Sequence, residues 1–148
     1  MDDLVEVIRS FPIIAAVRHY ENLDEALRSG VNVIFLLTGD IFSIGDVVSK
    51  IKKNGKAAFV HADMIEGLGH DRASMEYIAK IIRPDGIIST RSYTIKYARE
   101  VGLFSIQRFF LVDSQGLNTG INEVRKSMPS AIEVLPGILH EKTGCVVS

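Results

Sequence analysis

The chain has no tryptophan, only four prolines and a single cysteine, Cys145, among its 148 residues. A lone cysteine excludes an internal disulfide, and with it a small fold stapled in place of a core; it suits a reducing cytoplasm. No sign of charge dominates, since 17 Lys+Arg stand against 18 Asp+Glu for a formal net charge of -1. Bulk electrostatics therefore gives no reason to expect nucleic acid as a partner, and such binding would need a local basic patch. No apolar run approaches the roughly 20 residues of a membrane-spanning helix. The opening MDDLVEVIRS is acidic where a secretory signal would be basic, so no membrane partner is expected and a cytoplasmic location is. Neither a GxGxxG nor a P-loop pattern occurs, no Ser/His/Asp set sits in a family-specific context, and Cys145 lacks the partners of a nucleophile. No cofactor is therefore expected.

What is present is a normal globular composition, 47% hydrophobic and 24% charged, in a length that suits one core. No charge run, low-complexity tract or linker interrupts it, so a single domain over 1–148 is expected. The clearest stretch is Ala57–Arg91. Ala57–Val60 is short and apolar, then turns polar at His61 and Asp63, as a buried parallel strand does where it surfaces. After a glycine-containing loop, Asp71 is placed to cap a helix that carries Met75, Ile78, Ala79 and Ile82 on one face. Pro84-Asp85-Gly86 stops that helix, and Gly86-Ile87-Ile88 enters a second buried strand ending in Ser89-Thr90-Arg91.

The same alternation runs along the chain. Strands are expected at Pro12–Val17, Val33–Leu37, Phe104–Arg108 and Ala131–Leu135, with Phe109–Val112 a continuation or a loop. Helices are expected at Leu4–Ile8, at Leu23–Ser29 behind an Asn22 cap, and up to Lys53 from Ser43 or Asp46. Two more follow Ser92 and Ser114. Cys145–Ser148 is a candidate seventh strand. Such βα alternation implies parallel strands with right-handed crossovers. Two α/β architectures fit: an open doubly wound sheet, or part of a (β/α)8 barrel.

Ligands of parallel α/β folds sit at the carboxyl ends of the strands. Here those ends carry Arg18-His19, Thr38-Gly39-Asp40, His61-Ala62-Asp63, Ser89-Thr90-Arg91, Gln107-Arg108 and Glu133. Strand side chains alternate, so His61 and Asp63 point one way, as do Ser89 and Arg91. In a barrel, Arg18, Arg91 and Arg108 would converge at one mouth, and arginine's planar fork suits carboxylate or phosphate oxygens. A small anionic ligand is the natural occupant, with Asp63, Asp113 and Glu133 holding the arginines or binding hydroxyls. Three plainer readings stand beside this one. Arg18 and Arg108 are alternatively structural ion-pair partners of Asp63 and Glu133. His61 is alternatively a satisfied rim histidine. His61, Asp63 and Glu133 are alternatively metal ligands, though their spacing is loose. His19 and His70 read as solvated loop residues.

Four blocks, HADMIEGL (His61–Leu68), KIIRPDGIISTR (Lys80–Arg91), SIQRFFLVDS (Ser105–Ser114) and IEVLPGI (Ile132–Ile138), resemble the glycerol uptake operon antiterminator regulatory proteins. They occur in the family's order and cover most of the chain, and Arg18 after PIIAAV matches the family's first strand end. The resemblance implies a bacterial cytosolic regulator, not an enzyme, with a TIM-barrel-like fold. It also implies a response to glycerol 3-phosphate and action on the leader mRNA of glycerol-utilisation operons, letting polymerase pass a terminator. Its ligand residues would be Arg18, His61, Asp63, Arg91, Arg108, Glu133 and Gly137. Its RNA contacts would come from Lys52, Lys53, Arg83 and Lys96, with Lys50, Lys56, Arg72 and Arg99 as further candidates; a plain solvated-face reading applies to each. Family members continue through further βα units after LPG. Barrels typically take about 250 residues and eight strands, so a form shortened at the C-terminus, with six or seven strands, is expected. Open strand edges would favour a homo-oligomer. The alternative is a TIM-barrel enzyme on a small phosphorylated or anionic substrate, with His61 or Asp63 as base and Arg91 or Arg108 as anion clamp. No strand-end lysine for Schiff-base chemistry supports it. A partial barrel without ligand or RNA affinity is the third reading.

Overall fold

The apolar and amphipathic runs become strands and helices in the computed structural model, which describes residues 2–111 and 114–137. In chain order these are α1 (Asp2–Ser10), β1 (Ile14–Val17), α2 (Leu23–Arg28), β2 (Val33–Leu36), α3 (Ile44–Lys53) and β3 (Ala57–His61). There follow α4 (Arg72–Tyr77), β4 (Gly86–Ser89), α5 (Ser92–Glu100), β5 (Phe104–Phe110), α6 (Ser114–Ser127) and β6 (Ala131–Leu135). Each strand pairs in parallel with the next in sequence, giving the order β1-β2-β3-β4-β5-β6. A doubly wound sheet reverses its order at a switch point; this sheet never does. Of the two architectures compatible with the alternation, the barrel is the one built. The sheet curls into a TIM-barrel-like half-barrel that does not close among the described residues.

Alternating side chains divide the core in two. Ile34, Leu36, Ala58, Val60 and Ile87 face outward and pack under Val48, Ile51, Met75, Ile78, Ile95 and Ala98 of the helical layer. Val33, Phe35, Phe59, Ile88, Phe104 and Ile106 face the concave side. There the Phe59 ring lies 5.4 Å from Phe35 and 5.8 Å from Phe104, the second pair nearly perpendicular at 87°, an edge-to-face arrangement aromatic quadrupoles favour. Gly86 makes room for it: a Cβ at this position would lie 2.5 Å from the Phe59 ring and 2.6 Å from the Phe104 carbonyl oxygen.

The expected caps at Asn22 and Ser92 do not form, while α3 opens just after Ser43 as expected. Asn22 ends a 3-10 turn with helical backbone (φ -88°, ψ -3°), so its side chain is not set to cap α2 and makes no cap bond. Ser43 is also helical, and Asp40 instead accepts from the Phe42 and Ser43 amides at 2.8 and 3.0 Å. The Ser92 hydroxyl donates to Glu123 rather than capping α5. Asp71 does cap, extended at ψ 176° and accepting from the Ser74 amide at 2.8 Å. The helix it starts passes into a π turn at Ile78–Ile82 and closes on Arg83 at φ 55°. Phe109 and Phe110 continue β5 rather than forming a loop. The expected strand at Cys145–Ser148, the segment Ile138–Lys142, and Val112 and Asp113 lie outside the described residues.

Candidate ligand site

Continuing the concave-side rows of Phe59, Ile106 and Ala131 by two residues reaches His61, Arg108 and Glu133. The strand pattern alone therefore puts an imidazole, a guanidinium and a carboxylate on one face at the carboxyl ends. Arg108 and Glu133 are register partners on β5 and β6. They form a two-point pair, Nε to Oε2 at 2.6 Å and Nη2 to Oε1 at 3.1 Å. Arg108 is buried, with 8% of its surface exposed. His61 is 1% exposed, and neither ring nitrogen has a hydrogen-bond partner among the described residues. Burial lowers its pKa, the Arg108 charge adds to that, and Asp63 and Glu133 oppose it; the net effect favours neutral imidazole. A buried polar group left unmet would cost about 1–3 kcal/mol, so the two ring nitrogens are open to a further polar partner beside the buried guanidinium.

Asp63 follows β3 on a 3-10 turn, Ala62–Met64. It accepts from Ser89 Oγ at 2.7 Å and from the Thr90 amide and Thr90 Oγ1, each at 2.8 Å. Burial pushes its carboxyl up, but these bonds outweigh that and hold it below the ordinary carboxylate value. It thereby locks the end of β3 to the end of β4. Arg91 Nε is 3.9 Å from Asp63, and Arg91 Nη1 donates to Tyr93 Oη at 2.8 Å. That leaves a half-exposed guanidinium beside Asp63, just past the end of β4. Arg18 is exposed just past β1, and Gly137 is exposed just past β6. The structure thus gathers His61, Asp63, Arg91, Arg108 and Glu133 on four adjacent strands, β3–β6. Arg18 stands on the strand at the opposite edge of the sheet.

Of the plainer readings, the ion pairs are present in altered form: Arg108 pairs with Glu133, and Arg91, not Arg18, lies near Asp63. Among the described residues no three His, Cys, Asp or Glu side chains come together to hold a metal ion. The His61–Asp63–Glu133 metal alternative therefore falls, because the carboxylates are turned to Ser89, Thr90 and Arg108. His70, expected to be solvated, is instead tucked in with Nδ1 3.7 Å from Asp63. Thr90 and Tyr93 were also missed as site residues. The available signal for His70 was the GLGHD loop, where Gly67 adopts φ 79° and His70 Nδ1 comes to 3.7 Å from Asp63.

The expected RNA-contacting cations lie elsewhere. Lys52 and Lys53 end α3, and Arg83 precedes β4, so all three are at the amino ends of the strands, opposite the mouth. They line one groove of about 490 Å³ together with Gly45, Val48, Ser49, Ile81 and Ile82. Lys96 is exposed on α5 and does not line it.

The family model described as glycerol-3-phosphate responsive antiterminator matches residues 13–146. The chain belongs to that family. It is 38% identical over 143 residues to the uncharacterised protein YgcP of Escherichia coli K12, covering 97% of this chain and 75% of YgcP. A crystal structure of a glycerol uptake operon antiterminator regulatory protein from Listeria monocytogenes superposes with a TM-score of 0.80 at 32% identity, covering 84% of this chain and 68% of that one. A glycerol uptake operon antiterminator-related protein from Thermotoga maritima gives 0.82 at 29% identity, covering 91% and 76%. The antiterminator family is thus shown by sequence and fold together. Among the described residues no helix is long and apolar enough to cross a membrane.

Proposed function

We propose that the chain is a cytoplasmic transcription antiterminator that senses glycerol 3-phosphate at the mouth of the half-barrel and binds the leader mRNA of a glycerol-utilisation operon. The family match over residues 13–146 carries this reading, and the chemistry of the mouth supports it. A phosphate monoester bearing two hydroxyls needs cations for its oxygens and neutral donors and acceptors for the rest. Arg91 and Arg108 supply the first, the unpartnered His61 nitrogens the second. Glu133 fixes Arg108, Asp63 fixes Thr90, Tyr93 orients Arg91, and Arg18 and Gly137 stand just past β1 and β6. Ligand acts by binding one conformation better than another, which raises the RNA-competent population. RNA contacts come from the exposed cations Lys52, Lys53, Arg83 and Lys96. For the enzymatic alternative, Asp63 is a poor base because it already accepts from three donors, and the open His61 nitrogens serve a bound ligand equally well.

The test is thermal unfolding with glycerol 3-phosphate, glycerol and inorganic phosphate, beside leader-RNA binding. Stabilisation should follow RT ln(1 + [L]/Kd), about 2.7 kcal/mol at a hundredfold excess over Kd, for glycerol 3-phosphate and not for glycerol. RNA should bind more tightly in its presence. No stabilisation and no ligand-dependent RNA binding would overturn the proposal.

A further inference from the structure

The groove at the amino ends of the strands combines three features with no part in the ligand site. It is rimmed by cations over an apolar floor: Val48 and Ile82 are buried, while Ile81 is 63% exposed beside them. Its far wall is a π turn, Ile78–Ile82, a form that recurs at functional sites. That turn closes on Arg83 in the left-handed region at φ 55°, where glycine is the usual residue. A non-glycine residue there costs on the order of 1 kcal/mol or more, so the position carries a side chain at some expense to the fold.

The cations are not equivalent. Lys52 Nζ lies 3.2 Å from Asp85 and donates to the Arg83 carbonyl at 3.1 Å. Asp85 in turn accepts from the Ala58 amide at 2.8 Å. Lys52 therefore positions the Arg83 backbone and satisfies the acid at the groove. Arg83 Nε donates to the Lys80 carbonyl at 2.8 Å, which orients the guanidinium and leaves both Nη groups without a partner among the described residues. Lys53 is exposed and likewise unpaired among them. Two oriented or free positive charges flank an apolar floor, in a volume of about 490 Å³ that falls within the usual range for a bound small group.

We propose that this groove is where the chain takes its RNA, and that it takes an unpaired stretch: a base set against Ile81, Val48 and Ile82, with flanking phosphates on Lys53 and Arg83. The inference rests on the RNA-binding reading above and adds the surface and the form of RNA. A duplex presents phosphates but keeps its bases stacked, so it would leave the apolar floor unused, whereas an unpaired base can turn into it. The groove and the ligand mouth lie at opposite ends of β3, which begins beside Asp85 and ends at His61.

The experiment measures fluorescence anisotropy of the full chain, saturated with glycerol 3-phosphate, against a short labelled oligouridine, a hairpin duplex of equal length and the leader transcript. Lys53→Glu and Arg83→Gln should each weaken oligouridine and leader binding roughly tenfold and lower the salt slope by about one. Ile81→Ser should weaken oligouridine and leave the duplex unchanged, and Lys126→Glu, an exposed cation outside the groove and outside the proposed contacts, should have little effect. Retained stabilisation by glycerol 3-phosphate shows that each variant is folded. Leader binding that is lost in Lys96→Glu but intact in Lys53→Glu and Arg83→Gln would overturn the groove while sparing the RNA-binding reading. Equal affinity for duplex and oligouridine would overturn the unpaired occupant. A wild-type chain that binds none of these RNAs would overturn both and turn the groove over to a protein partner.

Discussion

Replacing Glu133 with glutamine changes one charge and almost no volume, and so isolates the pair that holds Arg108. The Arg108 side chain is 9% exposed and that of Glu133 24%. Removing one partner of a buried pair costs about 3–5 kcal/mol, because the other charge is left unpaired in low dielectric. Glu133 keeps a quarter of its side chain in water, and glutamine retains one acceptor oxygen toward the guanidinium. Both discount the loss, to about 2 kcal/mol. In a domain of this size that is a fall in Tm of about 4–8 °C. Urea unfolding at neutral pH, followed by circular dichroism, measures it. The double replacement Arg108→Met with Glu133→Leu should recover most of the stability, since a buried pair gains little over apolar residues of similar size. A Glu133→Gln loss within about 0.5 kcal/mol of zero, additive with Arg108→Met, would refute the reasoning and make the pair a screened surface contact.

Burial and Arg108 hold the folded His61 pKa below its unfolded value of about 6.5, so the unfolded chain takes up the proton first. Stability of the ligand-free protein should therefore be full above that pH and decline as pH falls through it, and His61→Gln should flatten the decline; unfolding titrations between pH 8 and 5, or roughly that span, read it directly. Gly86→Ala should lose about 2–3 kcal/mol by overpacking, since the new methyl meets a carbonyl that cannot move and a ring wedged between two others; a change under about 1 kcal/mol would mean the concave core is looser than its geometry implies.

Strand positions were largely legible because buried parallel strands are short continuous apolar runs, and VIFL and GIIS leave no other reading. The sheet order was not: alternation of strand and helix fits both parallel architectures, and only the pairing of each strand with its successor separates them. The caps of α2 and α5 were misplaced for a local reason. Asn22 and Ser92 are good capping types, but a 3-10 turn and a contact with Glu123 drew them away. In the site, period-two alternation placed His61 with Arg108 and Glu133, because all three follow regular strand residues. It did not foresee that Asp63 would be consumed in bracing Ser89 and Thr90, since Asp63 lies past the strand, where alternation no longer holds. His70 was hidden for the same reason: nothing in a glycine-bearing loop fixes which side chain folds back. The basic groove went unseen because Lys53 and Arg83 stand 30 positions apart and meet only after two βα units stack.

The most direct test is a calorimetric titration of the wild-type chain with glycerol 3-phosphate, set beside Arg91→Gln, whose side chain is half exposed and outside the core. Saturable binding by the wild type, absent with glycerol alone and weakened roughly tenfold or more by Arg91→Gln, is the expected result. No binding heat, or binding that ignores both the phosphate and Arg91, would contradict it.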